Sequence, residues 1–184
     1  DALTKEGVEK VLKGLEADGI DFIVCDSPAG IEKGAFLAMY YADTAVVVVN
    51  PEVSSVRDSD RILGLLDSKT RKAENGETLK PHLLLTRYSP SRVEGGEMLS
   101  IKDVEEVLGL KTLGVIPPDA VLTPRPESGD VLNASNKGEP VILDLESNAG
   151  QAYDDAVGRL LGEDRPLRFT TVEKKGFFTK LFGG

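Results

Sequence analysis

Apolar residues are arranged along this chain in two alternating patterns. Four short runs, rich in Val, Leu and Ile, have the length of buried parallel strands. They cover residues 22–25, 45–49, 83–86 and 112–116. Elsewhere apolar residues recur at three- and four-residue spacing, which predicts helices over residues 3–17, 31–41, 54–72, 101–108 and 150–161, the first with Thr4 as its N-cap. A loop is expected over residues 89–96 and another short helix at 128–135. Helices and strands that alternate with short connections are typical of an α/β fold, here with a mostly parallel sheet.

The first apolar run ends on residues that can carry chemistry. Asp26 follows the run directly, and Ser, Pro and Gly come after it, so the chain turns where the predicted strand stops. Ligands of open α/β sheets bind beyond the carboxyl ends of the strands. A carboxylate there, followed by a glycine whose N–H can approach a phosphate, favours a site for a magnesium nucleotide. The alternative is a plain Asp-Ser-Pro turn that ends a strand without any chemistry.

Composition narrows the class of protein. The chain of 184 residues is 40% hydrophobic and 29% charged, which is typical of one globular domain with small appendages. Its net charge of −9 argues against a nucleic-acid partner. Cys25, the single cysteine, lies in an apolar run, which predicts a buried core residue in a reducing compartment. No apolar run approaches the roughly 20 residues of a membrane span, so we expect a cytoplasmic protein.

The last residues differ from the rest of the chain. Residues 172–184 carry three Lys and one Glu, so the remainder of the chain holds a net charge of −11. Drawn as a helix, this segment places large apolar side chains beside lysines, which is the composition of an interfacial membrane helix. The predicted membrane-binding residues are Lys174, Lys175, Phe177, Phe178, Lys180, Leu181 and Phe182. The alternative is a terminal helix that packs on its own domain.

The free energy of such a tail on a membrane is close to balance. Burying four large apolar side chains gains about 6–12 kcal/mol at best. Ordering roughly ten residues costs about 10–20 kcal/mol, partly offset by helix hydrogen bonds and by the attraction of lysines to anionic lipid. One tail therefore binds marginally, whereas two tails held together in a dimer gain avidity.

Five segments together resemble one family. They are the DSPAG turn, AVVVVNPEVSSVRDSDRI, LLLTRYSP, NASNKGEPVILD and the KKGFFTKLFGG tail. The chain is similar over nearly all its length to the MinD/ParA family of deviant Walker A ATPases, and the tail resembles its septum-positioning branch. The resemblance implies a three-layer P-loop NTPase-like (SIMIBI) fold, with residues 1–168 as the C-terminal two-thirds of the ATPase domain. Residues 169–184 would be a linker and an amphipathic membrane-targeting helix.

The resemblance also implies an ATP-driven cycle that places the bacterial division site. ATP, with Mg²⁺, would join two copies into a homodimer, whose paired tails bind anionic lipid on the cytoplasmic face of the inner membrane. The dimer would recruit MinC to block septum formation away from mid-cell. MinE would stimulate hydrolysis and release.

Particular residues match motif positions of the family. Asp26 falls where a catalytic aspartate holds Mg²⁺ through water or orients the attacking water. Ser27, Pro28, Ala29 and Gly30 would form the switch that senses the γ-phosphate, and Arg87 would contact the adenine ring. Asp58 and Asp60 match positions linked with MinC and MinE docking, although by sequence alone they are ordinary solvated charges.

Two departures from the family pattern limit this interpretation. The GKGGVGKT phosphate loop has no counterpart in residues 1–184. We therefore expect a C-terminal fragment, without the N-terminal strands, that neither binds ATP tightly nor hydrolyses it. The loss of a strand between 22–25 and 45–49 would leave unpaired edges and an aggregation-prone chain. The second departure is the proline-rich stretch 117–126, which lies near the adenine pocket in relatives.

Two alternatives stay open at this point. A ParA-like partition ATPase would share the fold and bind DNA, against which the acidic charge and the phenylalanine-rich tail argue. A non-catalytic module would keep the membrane helix and partner surface without nucleotide chemistry. A GKGGVGKT motif some ninety residues upstream of Asp1 would favour the ATPase.

Overall fold

The computed structural model describes residues 4–28, 30, 32–118, 138 and 140–172. The helices are α1 Lys5–Ala17, α2 Lys33–Tyr40, α3 Val53–Lys69, α4 Arg71–Glu74, α5 Pro90–Glu94, α6 Ile101–Leu108 and α7 Asn148–Leu160, and a 3₁₀ turn covers Val141–Leu143. The strands are β1 Thr44–Val49, β2 Lys80–Leu85 and β3 Thr112–Val115. The chain divides into two compact units: unit 1 is Asp1–Val47 with Arg57–His82, and unit 2 is Val48–Val56 with Leu83–Gly184.

The three strands form one sheet in the order β1-β2-β3. β2 and β3 pair in parallel, with Leu84 opposite Gly114 and Leu85 opposite Val115, and the register shifts between Leu83 and Leu84. The leucines of β2 are buried, as the continuous apolar run predicts for a strand covered on both faces. The predicted α/β class with a parallel sheet is therefore confirmed.

The prediction of a buried strand over residues 22–25 is wrong. These residues have no strand assignment, and Phe22 and Val24 are 74% and 91% exposed. Cys25 is also exposed, which corrects its predicted place in the core. An apolar run becomes a buried strand only beside a hydrogen-bonded neighbour. Among the described residues no strand pairs with this segment, so its backbone gains nothing from the sheet.

Two helical regions differ from the predicted ones. The long helix ends at Lys69 and Thr70 caps a separate short helix, its hydroxyl accepting from the Ala73 N–H at 3.2 Å. The segment predicted as a loop after Ser89 contains α5, with Pro90 in its first turn. A helix expected near residues 128–135 lies outside the described residues. Side-chain competition for backbone groups explains why Thr70 divides the helix.

In unit 1, α1 is attached by polar contacts around one tyrosine. α1 has no fully buried residue. The Lys5 ammonium lies 3.5 Å from the centroid of the Tyr40 ring and 3.4 Å from Glu74 Oε1. The Tyr40 hydroxyl donates to Glu74 Oε2. Because α1 has no fully buried residue, cation–π and ionic contacts hold it to α2 and α4.

Unit 2 has its core where α7 crosses the sheet. Leu84, Ile116, Ala149, Ala152 and Ala156 form a buried cluster. Gly114 permits this close approach, because a Cβ at that position would lie 2.7 Å from Ala156 Cβ and 2.8 Å from Leu84 Cδ1. The small residues of α7 and the glycine of β3 thus bring the helix axis close to the sheet.

Candidate functional site

The turn after the first apolar run lies in unit 1. Asp26, Ser27, Pro28 and Gly30 are all exposed, and Ala29 lies outside the described residues. The Ser27 hydroxyl donates to the Pro28 carbonyl at 3.2 Å. Gly30 has φ of 98°, a left-handed conformation that glycine adopts without steric cost. The backbone therefore turns at this point as the sequence predicts, and it leaves the Asp26 carboxylate open to solvent.

The described residues do not by themselves form a magnesium site. Within those ranges no three His, Cys, Asp or Glu side chains converge in a way that could hold a metal ion. Mg²⁺ requires six oxygen ligands in near-octahedral geometry, of which Asp26 would supply one, directly or through water. The ranges described likewise contain no glycine-rich loop that could enclose a triphosphate.

A second group of polar residues lies in unit 2, at the carboxyl ends of β1 and β2. The Thr86 N–H donates to the carbonyl of Val49, the last residue of β1, at 3.0 Å, which continues the pairing one residue past the end of β2. The Thr86 hydroxyl donates to Asn50 Oδ1 at 2.9 Å, and the Asn50 N–H donates to Ser55 Oγ at 3.2 Å. This is the edge of the sheet at which open α/β folds bind ligands. Asn50 and Thr86 were not predicted as site residues, although a polar residue at the end of each strand was a signal for them.

Arg87 extends this edge with an unusual backbone. Its φ is 56°, which is left-handed for a residue with a Cβ and costs about 1–2 kcal/mol. The next residue, Tyr88, is buried, and its N–H donates to the Ile116 carbonyl at 3.1 Å. Burial raises the pKa of the Tyr88 phenol. β2 on one side and Tyr88 on the other therefore hold the strained residue, while its side chain stays exposed.

Asp58 and Asp60 both lie on α3 in unit 1, and both are exposed. Asp58 Oδ1 is 3.5 Å from an Arg61 guanidinium nitrogen, a solvent-exposed pair of small energetic value. Residues two apart on a helix do not share a face, and the buried Ser59 separates these two. Because Ser59 is buried, Asp58 and Asp60 lie at the two margins of the exposed side of α3, and a partner that contacts both carboxylates must span that side.

The predicted membrane-binding residues, Lys174, Lys175, Phe177, Phe178, Lys180, Leu181 and Phe182, lie outside the described residues. In the part of the chain that the structure covers, no helix combines the length and the apolar composition needed to cross a membrane.

Comparison with known proteins defines the class. No protein-family model matches the chain. Among solved structures, a MinD cell division protein of Aquifex aeolicus superposes with a TM-score of 0.76 at 37% identity, covering 91% of this chain and 65% of that one. A ParA family ATPase of Chlorobium tepidum superposes with a TM-score of 0.60 at 20% identity, over 84% and 57% of the two chains, which shows the fold alone. The chain has the fold of the MinD/ParA P-loop ATPases.

Curated sequences define the branch of this class. The chain is 62% identical over 185 residues to the septum site-determining protein MinD of Escherichia coli K12, and 58% identical over 186 residues to that of Neisseria meningitidis MC58. Both alignments cover 100% of this chain and 65% of the relative. The chain belongs to the MinD family. It spans about 65% of the length of the curated relatives it matches, and the predicted resemblance is confirmed.

Proposed function

We propose that this chain is part of an ATP-dependent, membrane-cycling MinD protein that places the bacterial division site. The observation that carries the proposal is the 62% identity to a septum site-determining protein over the whole chain. A solved complex of MinC with MinD from Aquifex aeolicus, matched at 36% identity and a TM-score of 0.76, supports MinC as a partner. In this proposal the protein is cytoplasmic and attaches peripherally to the inner membrane as an ATP-dependent homodimer.

The nucleotide chemistry is proposed for two groups of residues. Asp26 orients the attacking water, and the turn from Ser27 to Gly30 responds to the γ-phosphate. Arg87 contacts the adenine ring from its exposed position after β2. What supports the first assignment is the exposed carboxylate followed by a left-handed glycine, an arrangement that leaves carboxylate and backbone N–H open to a ligand.

By itself the 184-residue chain should carry the switch residues and the partner surface and should not hydrolyse ATP. Residues 1–184 contain no Gly-rich loop followed by Lys-Ser or Lys-Thr, the element that binds the β- and γ-phosphates and ligates the metal. This observation favours the second candidate function, a non-catalytic membrane- and partner-binding module, for the chain on its own.

Phosphate release from Mg-ATP tests this division of roles. We expect no release above a buffer blank from the 184-residue chain, and steady turnover from a longer MinD protein that carries both the phosphate loop and this sequence. In the longer protein Asp26→Asn should lower the turnover number by about 10²-fold or more, whereas Asp21→Asn, an exposed carboxylate nearby in sequence, should not. Turnover by the chain alone would refute the proposal for this fragment.

Partner binding is proposed for α3, where Asp58 and Asp60 would contact MinC and MinE. The two carboxylates are exposed, and the only ion pair described for them is the weak one from Asp58 to Arg61. They therefore have little intramolecular pairing to lose when a basic partner surface meets them, and charge complementarity favours the encounter.

Membrane binding is proposed for the tail and is tested with vesicles. The chain should co-sediment with vesicles that contain phosphatidylglycerol and not with vesicles of phosphatidylcholine alone, because three lysines and large apolar side chains act together. Changing both Phe177 and Phe182 to Glu should abolish the binding. As a control, Phe22→Glu changes a phenylalanine of unit 1 that is 74% exposed and should leave the binding intact. Equal binding by the chain and the double tail variant would eliminate the assignment.

A further inference from the structure

The residues that follow α7 stay in contact with that helix. Residues 163–172, here called the arm, turn back along α7 toward its start, because Arg165 contacts Asp154 and Arg168 contacts Gln151 and Asp155. Most arm residues are exposed. Apolar burial therefore explains little of the arm's position, and the contacts that hold it are mainly polar.

Arg159, in the last turn of α7, joins the arm to the sheet. Its Nε donates to the Leu113 carbonyl of β3. One of its terminal nitrogens donates to the carbonyls of Arg165 at 3.1 Å and Pro166 at 2.6 Å. Burial lowers the pKa of this guanidinium, which nevertheless stays charged at neutral pH. A single side chain thus binds strand, helix and arm in one hydrogen-bonded group.

Arg168 supplies the second attachment point. Its Nε and one terminal nitrogen donate to the two Asp155 oxygens at 2.6 and 2.9 Å, and its other terminal nitrogen donates to Gln151 Oε1 at 2.7 Å. The Asp155 side chain is 2% exposed. A bidentate pair of this kind fixes direction as well as distance, which a single ion pair does not.

Phe169 supplies a third attachment point directly after the second. Its ring packs against the core cluster of unit 2 that contains Ile116 and Ala152. Its φ of 62° is left-handed, a strained conformation for a residue with a side chain. Gly158 leaves room for the arm, since a Cβ there would lie 2.9 Å from Arg165 Cγ. Strain that persists in an exposed segment indicates that the surrounding contacts determine its path.

We propose that the arm is a rigid mount that fixes the orientation of unit 2 on an anionic lipid surface. This inference rests on the proposed membrane binding of the tail, residues 172–184, which begins at the last residue of the arm. The chain without residues 172–184 carries a net charge of −11, so an anionic surface repels it. On a flexible linker the acidic domain would swing away from the membrane. The three attachment points hold one face of unit 2 at a set distance instead.

Energy transfer from the protein to the membrane surface tests the orientation. The chain carries Cys25→Ser and a donor dye on Glu106→Cys, an exposed position of α6 in unit 2, and the vesicles contain phosphatidylglycerol, phosphatidylcholine and a headgroup acceptor. We expect one narrow distribution of transfer efficiency. Arg168→Gln should broaden it while the vesicle affinity changes less than about twofold, since the tail itself is intact. Arg168→Lys, which cannot make the bidentate pair, should give a distribution of intermediate width.

The mobility of the arm can also be measured in solution, without any membrane. A spin label on Thr171→Cys, in the same Cys25→Ser background, should be immobilised in the unchanged chain and released by Arg168→Gln. Arg92→Gln removes an exposed arginine of α5 that pairs with Glu97, and it should change neither readout. Circular dichroism of each variant checks that it is folded.

The outcomes separate the inference from the function on which it rests. A label at residue 171 that is already mobile in the unchanged chain would overturn the mount, whatever the vesicles show. If Arg168→Gln binds vesicles and its distribution of transfer efficiency is unchanged, the mount is overturned and the proposed membrane binding is not. Absence of vesicle binding by the unchanged chain, at a lipid concentration high enough for a single tail to bind, would overturn the proposed membrane function, and the mount with it.

Discussion

Arg87 combines two properties that substitution can separate, a left-handed backbone and an exposed guanidinium. Replacing it with Gly removes the backbone strain and should stabilise the fold by up to about 1 kcal/mol. The same change removes the proposed contact to adenine and should weaken ATP binding to a longer MinD protein by about 2–30-fold. Arg87→Ala keeps the strain and should lose the affinity alone. Urea unfolding of the chain and nucleotide titration of the longer protein measure the two effects, and unchanged affinity in both variants would contradict the role assigned to the side chain.

Asp155 should make the stability of unit 2 sensitive to acid. Its hydrogen bonds from Arg168 hold the pKa of the buried carboxyl below its usual range. A carboxyl with a lowered folded-state pKa stabilises the protein above its unfolded pKa of about 3.9, and the stabilisation disappears as pH falls through the lower folded value. At neutral pH Asp155→Asn should cost about 1.5–3 kcal/mol, the value of hydrogen bonds to a charged group.

Urea unfolding from neutral pH down to about pH 3 tests this dependence. The difference in unfolding free energy between the chain and the Asn variant should shrink as the pH falls. Asp58→Asn, an exposed carboxylate whose ion pair is weak, should give a small difference at every pH. A pH-independent cost of Asp155→Asn would show that its contribution is packing and not charge.

At the scale of elements, the close contact of α7 with β3 depends on one glycine. Gly114→Ala should destabilise the chain by about 1–3 kcal/mol, because the new methyl group meets Ala156 and Leu84 inside van der Waals contact. Gly64→Ala is the matched control on exposed α3, where a Cβ meets nothing within 4 Å, and it should stabilise by about 0.5–1 kcal/mol. Thermal or urea unfolding measures both. A Gly114→Ala variant at least as stable as the unchanged chain would mean that α7 can move away from the sheet at little cost.

Helices were more predictable from the sequence than strands. The spacing of apolar residues located α1, α3, α6 and α7 closely, and Thr4 caps α1 as predicted, its hydroxyl accepting from the Gly7 N–H at 3.1 Å. Residues 22–25 failed as a strand because an apolar run does not reveal whether a neighbouring strand exists. α5 was missed although Ser89-Pro90 is a recognised start signal, with proline in the first turn.

For the whole molecule, the sequence predicted the family and most candidate residues. It did not predict the hydrogen bonds and the backbone conformation around them. Motifs identified Asp26, Arg87, Asp58 and Asp60, and the structure shows that all four are exposed. The hydrogen-bonded Asn50–Thr86 pair and the left-handed Arg87 depend on how two strands end side by side, which no local pattern specifies. The attachment of the arm to α7 was missed for the same reason, since its partners are 6 to 17 residues apart in sequence.

The sheet exposes apolar surface that a soluble domain normally covers. Among the described strands β1 lies at the outside of the sheet. Val48 within it is 58% exposed, and Phe22 and Val24 are 74% and 91% exposed. Unpaired edges with exposed β-branched residues promote association between chains. We therefore predict that the isolated chain aggregates on heating, and that Val48→Lys reduces the aggregation. Light scattering during a thermal ramp measures this, with Val107→Lys on α6 as a control away from the edge. A sharp and reversible transition without scattering would contradict the prediction.

The exposed position of Cys25 turns the one thiol of this chain into a chemical reporter. A thiol in an unpaired, solvent-exposed segment reacts with maleimides or disulfide reagents at the rate of a small-molecule thiol, whereas one shielded inside a sheet reacts only when the sheet opens. The reaction rate of unmodified protein therefore measures whether residues 22–25 are paired. Any polypeptide that pairs with this segment should slow the reaction of the Cys25 thiol. The measurement needs no label, mutation or crystal.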